Sequence, residues 1–322
     1  MARQHSNRAR VAIVTPYGRQ SNTGNWHTAA RWARFLAPRF DVEVVTRWRA
    51  GLTADALIAL HARRSADSIE AYATAHPGRR LVVVLTGTDL YRDIDTDASA
   101  QHSLERASRL VVLNECGPAR LPAHLRSRTV VIPQSAASLT PGRKVQRHFD
   151  VAVVGHLRDE KNPQLLWRVA AQLPQDTRIR LWHAGGPLDR DLAQEARRVM
   201  KAHPQYQWLG DLPRAQARQL MRRCHVLLHP SRMEGGAQAI IEAVTAHTPV
   251  IASRIDGNVG LLGADYAGYF DDDDADQATA LLLAASGERR LLARLARQCA
   301  GRAREFRPER EAQRVRALLT GL

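Results

Sequence analysis

Glu234 and Glu242 stand eight residues apart in the stretch Pro230-Ser231-Arg232-Met233-Glu234-Gly235-Gly236-Ala237-Gln238-Ala239-Ile240-Ile241-Glu242-Ala243. An apolar run precedes it, and a helical pattern starts near Ala237. The paired glycines Gly235 and Gly236 let backbone N–H groups approach a ligand closely, and the start of a helix favours negative charge. Such a loop can cradle a phosphate or clamp sugar hydroxyls, with Gln238 in the first turn. A carboxylate at Glu242 can accept hydrogen bonds from a ribose. The same residues equally describe a tight strand-to-helix turn with a capping glutamate. A second cluster is Val153-Val154-Gly155-His156-Leu157-Arg158-Asp159-Glu160-Lys161-Asn162-Pro163. Here Arg158 and Lys161 occupy the loop between a strand and a helix that Pro163 opens. Two cations beside a helix start suit a diphosphate, whose charge grows as it leaves. Two surface cations are the other reading, weakened because the chain has only three lysines.

The first half carries two further loops. One runs from Thr15-Pro16-Tyr17-Gly18 through Ser21-Asn22-Thr23-Gly24-Asn25-Trp26-His27, and the other is Thr86-Gly87-Thr88-Asp89. Each follows a strand-like run and brings backbone N–H groups to its carboxyl end. Neither fits the dinucleotide fingerprint of spaced glycines, so a nicotinamide site is not expected. Helix-capping turns are the plain alternative for both. Asp271-Asp272-Asp273-Asp274 resembles a metal-ligand run, but it precedes a helical pattern and reads as an acidic helix start. No metal and no bound cofactor are expected.

Positioning these loops requires a regular frame, and the chain supplies one. Short apolar runs alternate with longer helical patterns, the signature of a parallel α/β architecture. Strands are expected at 11–15, 42–46, 56–60, 81–86, 110–113 and 130–133, then at 151–155, 179–184, 207–209, 226–229 and 250–253. Helices are expected at 26–36, 65–75, 117–125, 163–173, 189–203, 214–224 and 237–246, with a helical, arginine-rich tail from 287 to 322. Between 136 and 150 the rhythm stops, around Pro141 and Gly142, and the linker is placed there. A length of 322 residues fits two domains of about 150 residues each. We expect residues 1–140 and 141–305 to form an N-terminal and a C-terminal Rossmann-like domain, with a last helical segment at 306–322. The fold class expected is α/β, two doubly wound domains facing each other across a central cleft.

The formal net charge of +15 rests almost wholly on arginine, 44 against three lysines. The arginines are spread over every segment, with no zinc finger and no basic stripe interleaved with aromatics, so nucleic acid is not expected as a partner. Such charge also draws in small anions. Cys116, Cys224 and Cys299 lie far apart without ligand spacing, and reduced thiols are expected. No apolar run reaches the roughly 18 residues of a membrane span, and Met1 to Arg10 is polar and basic without a secretory pattern. A cytoplasmic location without membrane attachment is therefore expected.

Together these pieces resemble the GT-B glycosyltransferases of the large retaining family four. The resemblance lies in the 155–161 loop, the turn Gly185-Gly186-Pro187-Leu188, and the Glu234-x7-Glu242 block running on to Pro249-Val250. It covers roughly residues 11 to 285, and it implies that 1–140 is the acceptor domain, that 141–305 is the nucleotide-sugar domain, and that the helix at 306–322 returns to the first domain. It implies that Lys161 and Arg158 hold the donor diphosphate, with Gly155 and His156 beside them. It further implies that Glu242 holds the ribose, and that Glu234, Gly235, Gly236 and Ala237 hold the sugar. The family has arginine directly after the first glycine, where this chain has His156, and Arg158 two residues on is the candidate substitute. The histidine-bearing acceptor motif of the family is replaced, with Thr86–Asp89 in its place. A narrower likeness is to the selenosugar synthases of selenoneine biosynthesis. It rests on Thr15-Pro-Tyr with Thr23-Gly-Asn-Trp-His, on Leu85-Thr-Gly-Thr-Asp-Leu-Tyr, on Ile132-Pro-Gln-Ser and on the stretch from Ile255 to Phe270. That likeness implies a UDP-sugar donor (UDP-N-acetylglucosamine or UDP-glucose), selenophosphate as acceptor, and release of UDP and phosphate. It implies acceptor contacts from Thr23, Gly24, Asn25, His27, Thr86, Gly87, Thr88 and Asp89. It also implies functional coupling to the selenoneine-forming enzyme.

Overall fold

The computed structural model describes residues 8–21, 23–49 and 51–322. Met1 to Asn7, part of the stretch read for a secretory signal, and Asn22 in the first loop lie outside them. The chain divides into two compact units, Met1–Gln134 with Pro308–Leu322, and Ser135–Arg307.

The first unit holds six parallel strands: β1 (Arg10–Val14), β2 (Asp41–Val45), β3 (Ala56–Leu60), β4 (Arg80–Leu85), β5 (Arg109–Val112) and β6 (Thr129–Val131), in the order β2-β1-β3-β4-β5-β6. A parallel sheet covered on both faces needs nearly continuous apolar strands. β3 buries every residue, whereas the edge strand β2 is only partly covered. Helix Pro308–Ala317 packs in this unit, where Val315, Leu318 and Leu319 join the core around Ile13, Trp32 and Ile58. Glu311 on that helix is fully buried and receives Arg31 Nε at 2.9 Å and Trp32 Nε1 at 2.7 Å.

The second unit repeats the plan with β7 (Phe149–Val154), β8 (Ile179–Ala184), β9 (Tyr206–Trp208), β10 (Val226–His229), β11 (Val250–Ser253) and β12 (Tyr269–Phe270), all parallel, in the order β12-β11-β10-β7-β8-β9. Strands β7 to β9 extend one way from the centre and β10 to β12 the other. The order therefore reverses between β7 and β10. Ligands of doubly wound sheets bind at the carboxyl ends of strands beside such a reversal.

Several elements differ from expectation. The helix expected at 117–125 is a 3-10 turn, Gly117–Arg120, and a short helix, Ala123–Arg126, because Pro122 cannot continue the first. Helix Ala98–Arg106 was not anticipated; the Asp97 carboxylate starts it by accepting from Ala100 N at 2.9 Å. The long tail is two helices, Arg289–Arg302 and Pro308–Ala317, since the residue before a proline disfavours helical backbone. The segment expected to link the domains lies in the second unit. Leu139 N donates to Thr245 O at 2.9 Å, and the Lys144 ammonium reaches Arg222 O at 2.9 Å and also Cys224 O, at the end of helix Arg214–Arg223. A cation on the last carbonyls of a helix is favourably placed.

Among the described residues no helix is long and apolar enough to cross a membrane.

Candidate functional site

In the second unit a pocket opens where the strand order reverses, and Gly155, His156, Lys161, His183, His229 and Ser231 contribute to its lining. Local sequence explains how Lys161 reaches it. After β7 the chain forms a 3-10 turn, Asp159–Lys161, and then Asn162 adopts left-handed backbone with φ 50°. Asparagine tolerates that conformation, and its side chain caps the next helix by accepting from Leu165 N at 3.3 Å. Pro163 then takes the first position of helix Pro163–Gln172. Asp273, in the acidic run, accepts from Asn162 Nδ2 at 3.0 Å and pairs with Arg168 at 2.5 Å. Asp274 caps helix Ala275–Gly287. The acidic run thus anchors the Lys161 loop and starts a helix.

Lys161 Nζ lies 2.5 Å from Glu234 Oε1, and His229 Nε2 lies 3.0 Å from the same oxygen. Glu234 is 8% exposed. Burial pushes its carboxyl up, but the Lys161 charge and His229 outweigh that and hold it well below the usual carboxylate range. Gly235, Gly236 and Ala237 lead from Glu234 into helix Gln238–Thr245. On that helix Glu242 is buried, and its Oε1 receives Arg214 Nε at 2.6 Å and Gln238 Nε2 at 3.4 Å. Arg158 stands in the same loop as Lys161. Its side chain is 46% exposed and sits 3.9 Å from Glu160, outside the Lys161–Glu234 cluster.

The glycine-rich loops are held by a buried relay. Trp167 Nε1 donates to Tyr206 Oη at 3.3 Å, the Tyr206 hydroxyl meets His183 Nδ1 at 3.0 Å, and His183 Nε2 reaches Gly155 O at 3.0 Å. Burial lowers the His183 pKa to about 4, so the ring is neutral and Nε2 carries the proton donated to Gly155. His156 is also pushed down by burial, and its Nδ1 accepts from Gly186 N at 3.0 Å. The chain therefore presents a neutral imidazole at this position. Gly185 admits no side chain, since a Cβ there would lie 1.8 Å from Gly155 O. Gly185→Ala is expected to cost about 1–3 kcal/mol in stability and to displace the Gly155–His156 peptide. Gly24→Ala, whose Cβ would meet nothing within 4 Å, serves as the control. Thermal unfolding of both variants checks this; equal melting temperatures would contradict it.

In the first unit the expected acceptor residues flank a loop that the sequence did not single out. Thr23 caps helix Gly24–Leu36, accepting from Trp26 N at 3.4 Å, with Asn25 and His27 in the first turn. Asp89 does not present its carboxylate outward. It is fully buried and accepts from Thr86 N and Gly87 N at 2.8 Å each and from Ala62 N at 2.9 Å. Its contribution is to clamp the loops after β3 and β4 together. His61, directly after β3, is buried in left-handed backbone with φ 73° and contacts Thr88 Oγ1 at 3.0 Å through Nε2. Arg64 of the same loop lies over the Tyr17 ring at 5.2 Å. His61 and His229 share a signal that could have found them, a histidine at the carboxyl end of an apolar strand. Arg214 carried no local signal. Among the described residues no group of three or more His, Cys, Asp or Glu is placed to hold a metal ion.

Comparison with known proteins places this geometry. The family model of glycosyl transferases group 1 matches residues 141–305, half of the chain. The chain belongs to this family. Among characterised relatives, it is 29% identical over 208 residues to the D-inositol 3-phosphate glycosyltransferase of Corynebacterium kroppenstedtii, covering 56% of this chain and 46% of that protein. It is 26% identical over 160 residues to the phosphatidylinositol N-acetylglucosaminyltransferase gpi3 subunit of Schizosaccharomyces pombe, covering 48% and 35%. The chain thus spans less than half the length of these two relatives. Its fold is that of HepE from Anabaena, solved in complex with UDP-glucose, at TM-score 0.76 and 16% identity over 98% of this chain and all of that one. Sucrose-phosphate synthase from Thermosynechococcus elongatus is similar at TM-score 0.77 and 15% identity, over 97% and 98%. These likenesses make the fold that of the GT-B glycosyltransferases, with two parallel six-stranded sheets.

Proposed function

We propose that this chain transfers the sugar of a UDP-sugar, UDP-N-acetylglucosamine or UDP-glucose, to selenophosphate. The observation that carries the donor half is Lys161, which lines a pocket beside the strand-order reversal and is ion-paired to the buried Glu234. The diphosphate lies against Lys161 and the Gly155–His156 amides, the ribose against Glu242, and the sugar against Glu234, Gly235 and Gly236. Gln238 holds Glu242 in register. Arg158 reaches the diphosphate only by leaving Glu160. Selenium attacks the anomeric carbon, the bond from that carbon to the UDP oxygen breaks, and UDP leaves with its electron pair. Water then cleaves the phosphorus–selenium bond, releasing phosphate and a selenosugar. Selenophosphate is already an anion with a soft nucleophilic atom, so no general base is required to deprotonate it. The Thr23–His27 and Thr86–Thr88 loops supply positioning. The sequence likeness at Thr86-Gly-Thr-Asp and Ile132-Pro-Gln-Ser supports the selenium acceptor, and the same likeness supports coupling to a selenoneine-forming enzyme.

The coarser reading, transfer from a UDP-sugar to another small acceptor, is favoured by the match to a glycosyltransferase whose name carries inositol phosphate. Supplying either UDP-sugar with selenophosphate, thiophosphate, phosphate and simple sugars in turn, with products weighed by mass spectrometry, separates the two. A selenosugar mass is the expected result. A product from a hydroxyl acceptor with none from selenophosphate would leave only the coarser reading.

A further inference from the structure

Thr88, in the loop after β4, spends none of its hydroxyl on the local backbone. Its hydrogen-bond partner among the described residues is His61, whose Nε2 lies 3.0 Å from Thr88 Oγ1. The direction of that bond is decided on the other side of the ring. There the Arg64 backbone N–H donates to His61 Nδ1 at 3.4 Å. An amide N–H can only donate, so Nδ1 is the accepting nitrogen and the ring proton sits on Nε2. Nε2–H therefore donates to Thr88 Oγ1, and the Thr88 hydroxyl proton is left to point elsewhere. The neighbouring carboxylates do not alter this. Asp89 Oδ2, 3.8 Å from Nδ1, and Asp93 Oδ2, 3.9 Å from Nε2, lie beyond hydrogen-bond reach.

His61 is 2% exposed and holds this place in left-handed backbone, φ 73°, which is uncommon outside glycine. Such backbone persists where the surroundings over-determine it, and it gathers at sites that must keep one geometry. The loops after β3 and β4 also leave no side-chain base open. Asp89 accepts three backbone N–H groups, and Asp93 pairs with Arg63 Nε at 2.8 Å and Arg92 Nε at 3.2 Å. Residues 61–64 and 86–93 carry three arginines against two carboxylates. The third arginine, Arg64, is exposed over the Tyr17 ring. Loops of this kind take no proton from a hydroxyl acceptor. They suit an acceptor that arrives ionised and asks only for donors and positive charge.

Resting on the acceptor reading above, we propose that the Thr88 hydroxyl donates a hydrogen bond to an anionic oxygen on the acceptor's phosphorus, and that His61 is a positioning residue that keeps it turned that way. His61 does not touch the acceptor. It fills the lone pair of Thr88 Oγ1 from behind, so that the hydroxyl faces the ligand as a donor. The bond is made to an oxygen that stays on phosphorus while selenium attacks, so its loss falls on acceptor affinity more than on turnover.

Steady-state UDP release by the full chain, with selenophosphate or thiophosphate varied at saturating UDP-sugar, tests this. Thr88→Val is expected to raise acceptor KM about tenfold or more, the usual effect of losing a hydrogen bond to a charged group, whereas Thr88→Ser stays within about threefold of wild type. His61→Gly suits the left-handed backbone but removes the ring, and it should raise acceptor KM about fivefold or more. His61→Gln restores an N–H toward Thr88 and should recover part of that loss. Because His61 acts through Thr88, the double variant His61→Gly with Thr88→Val should lose no more than Thr88→Val alone. A residue with an independent structural role would add its own loss. Full addition in the double variant, or Thr88→Val with acceptor KM unchanged, would overturn the inference and leave the acceptor reading in place. No product from wild type with either selenophosphate or thiophosphate would overturn the acceptor reading and this inference together.

Discussion

Lys161→Ala is expected to lower kcat by on the order of 10²-fold, the usual effect of removing a charge that meets a departing anion. Among the described residues Lys161 is the one lysine or arginine lining the pocket, whereas Arg158 lies half-exposed 3.9 Å from Glu160. Its removal also strips the buried Glu234 of its ionic partner. Loss of stability must therefore be separated from loss of rate. The Glu234 carboxyl is held below its unfolded value, so the pair contributes stability above about pH 4.3 that fades as pH falls below it. The double variant Lys161→Ala with Glu234→Gln removes that penalty, so its melting temperature should recover while turnover does not. Steady-state UDP release, measured on both variants alongside thermal unfolding, checks the argument. Unchanged turnover in Lys161→Ala would remove this residue from the mechanism.

The largest expected effect on stability lies in the first unit, at Glu311. Its carboxylate has no exposed surface and holds the guanidinium of Arg31 through both oxygens and the indole N–H of Trp32. Glu311→Ala leaves a cation and a donor buried without an acceptor. Breaking a buried pair in this way costs about 3–5 kcal/mol. Replacing both partners, as Arg31→Met with Glu311→Leu, should be far milder, because the penalty comes from the uncompensated charge rather than from loss of the contact. Urea unfolding followed by Trp fluorescence is the measurement. A cost below about 1 kcal/mol for Glu311→Ala would show that the helix is not held by this carboxylate.

The strands were legible because strands buried on both faces have to be apolar along nearly their whole length, as Ala56–Leu60 is and as β10 is up to His229. The chemistry-bearing loops were legible through their glycines and prolines, which the backbone requires wherever it turns sharply or approaches a ligand. β12 was missed because two residues make no pattern, and the first-unit helix Ala98–Arg106 because Leu104 is its one large apolar residue. Side-chain direction was not legible either. Asp89 looked available for an acceptor, yet it folds back onto three backbone N–H groups.

By itself, then, the amino-acid sequence determined the alternation of strand and helix, the loops that carry polar groups, and the family to which they belong. Tertiary structure alone decided which of those groups meet. Lys161 and Glu234 are 73 residues apart, and they touch because β10 pairs with β7 instead of with β9. Strand order is a property of how whole layers are covered, so no local spacing encodes it. The same long-range packing brings His229 to the shared carboxylate and Arg214 to Glu242.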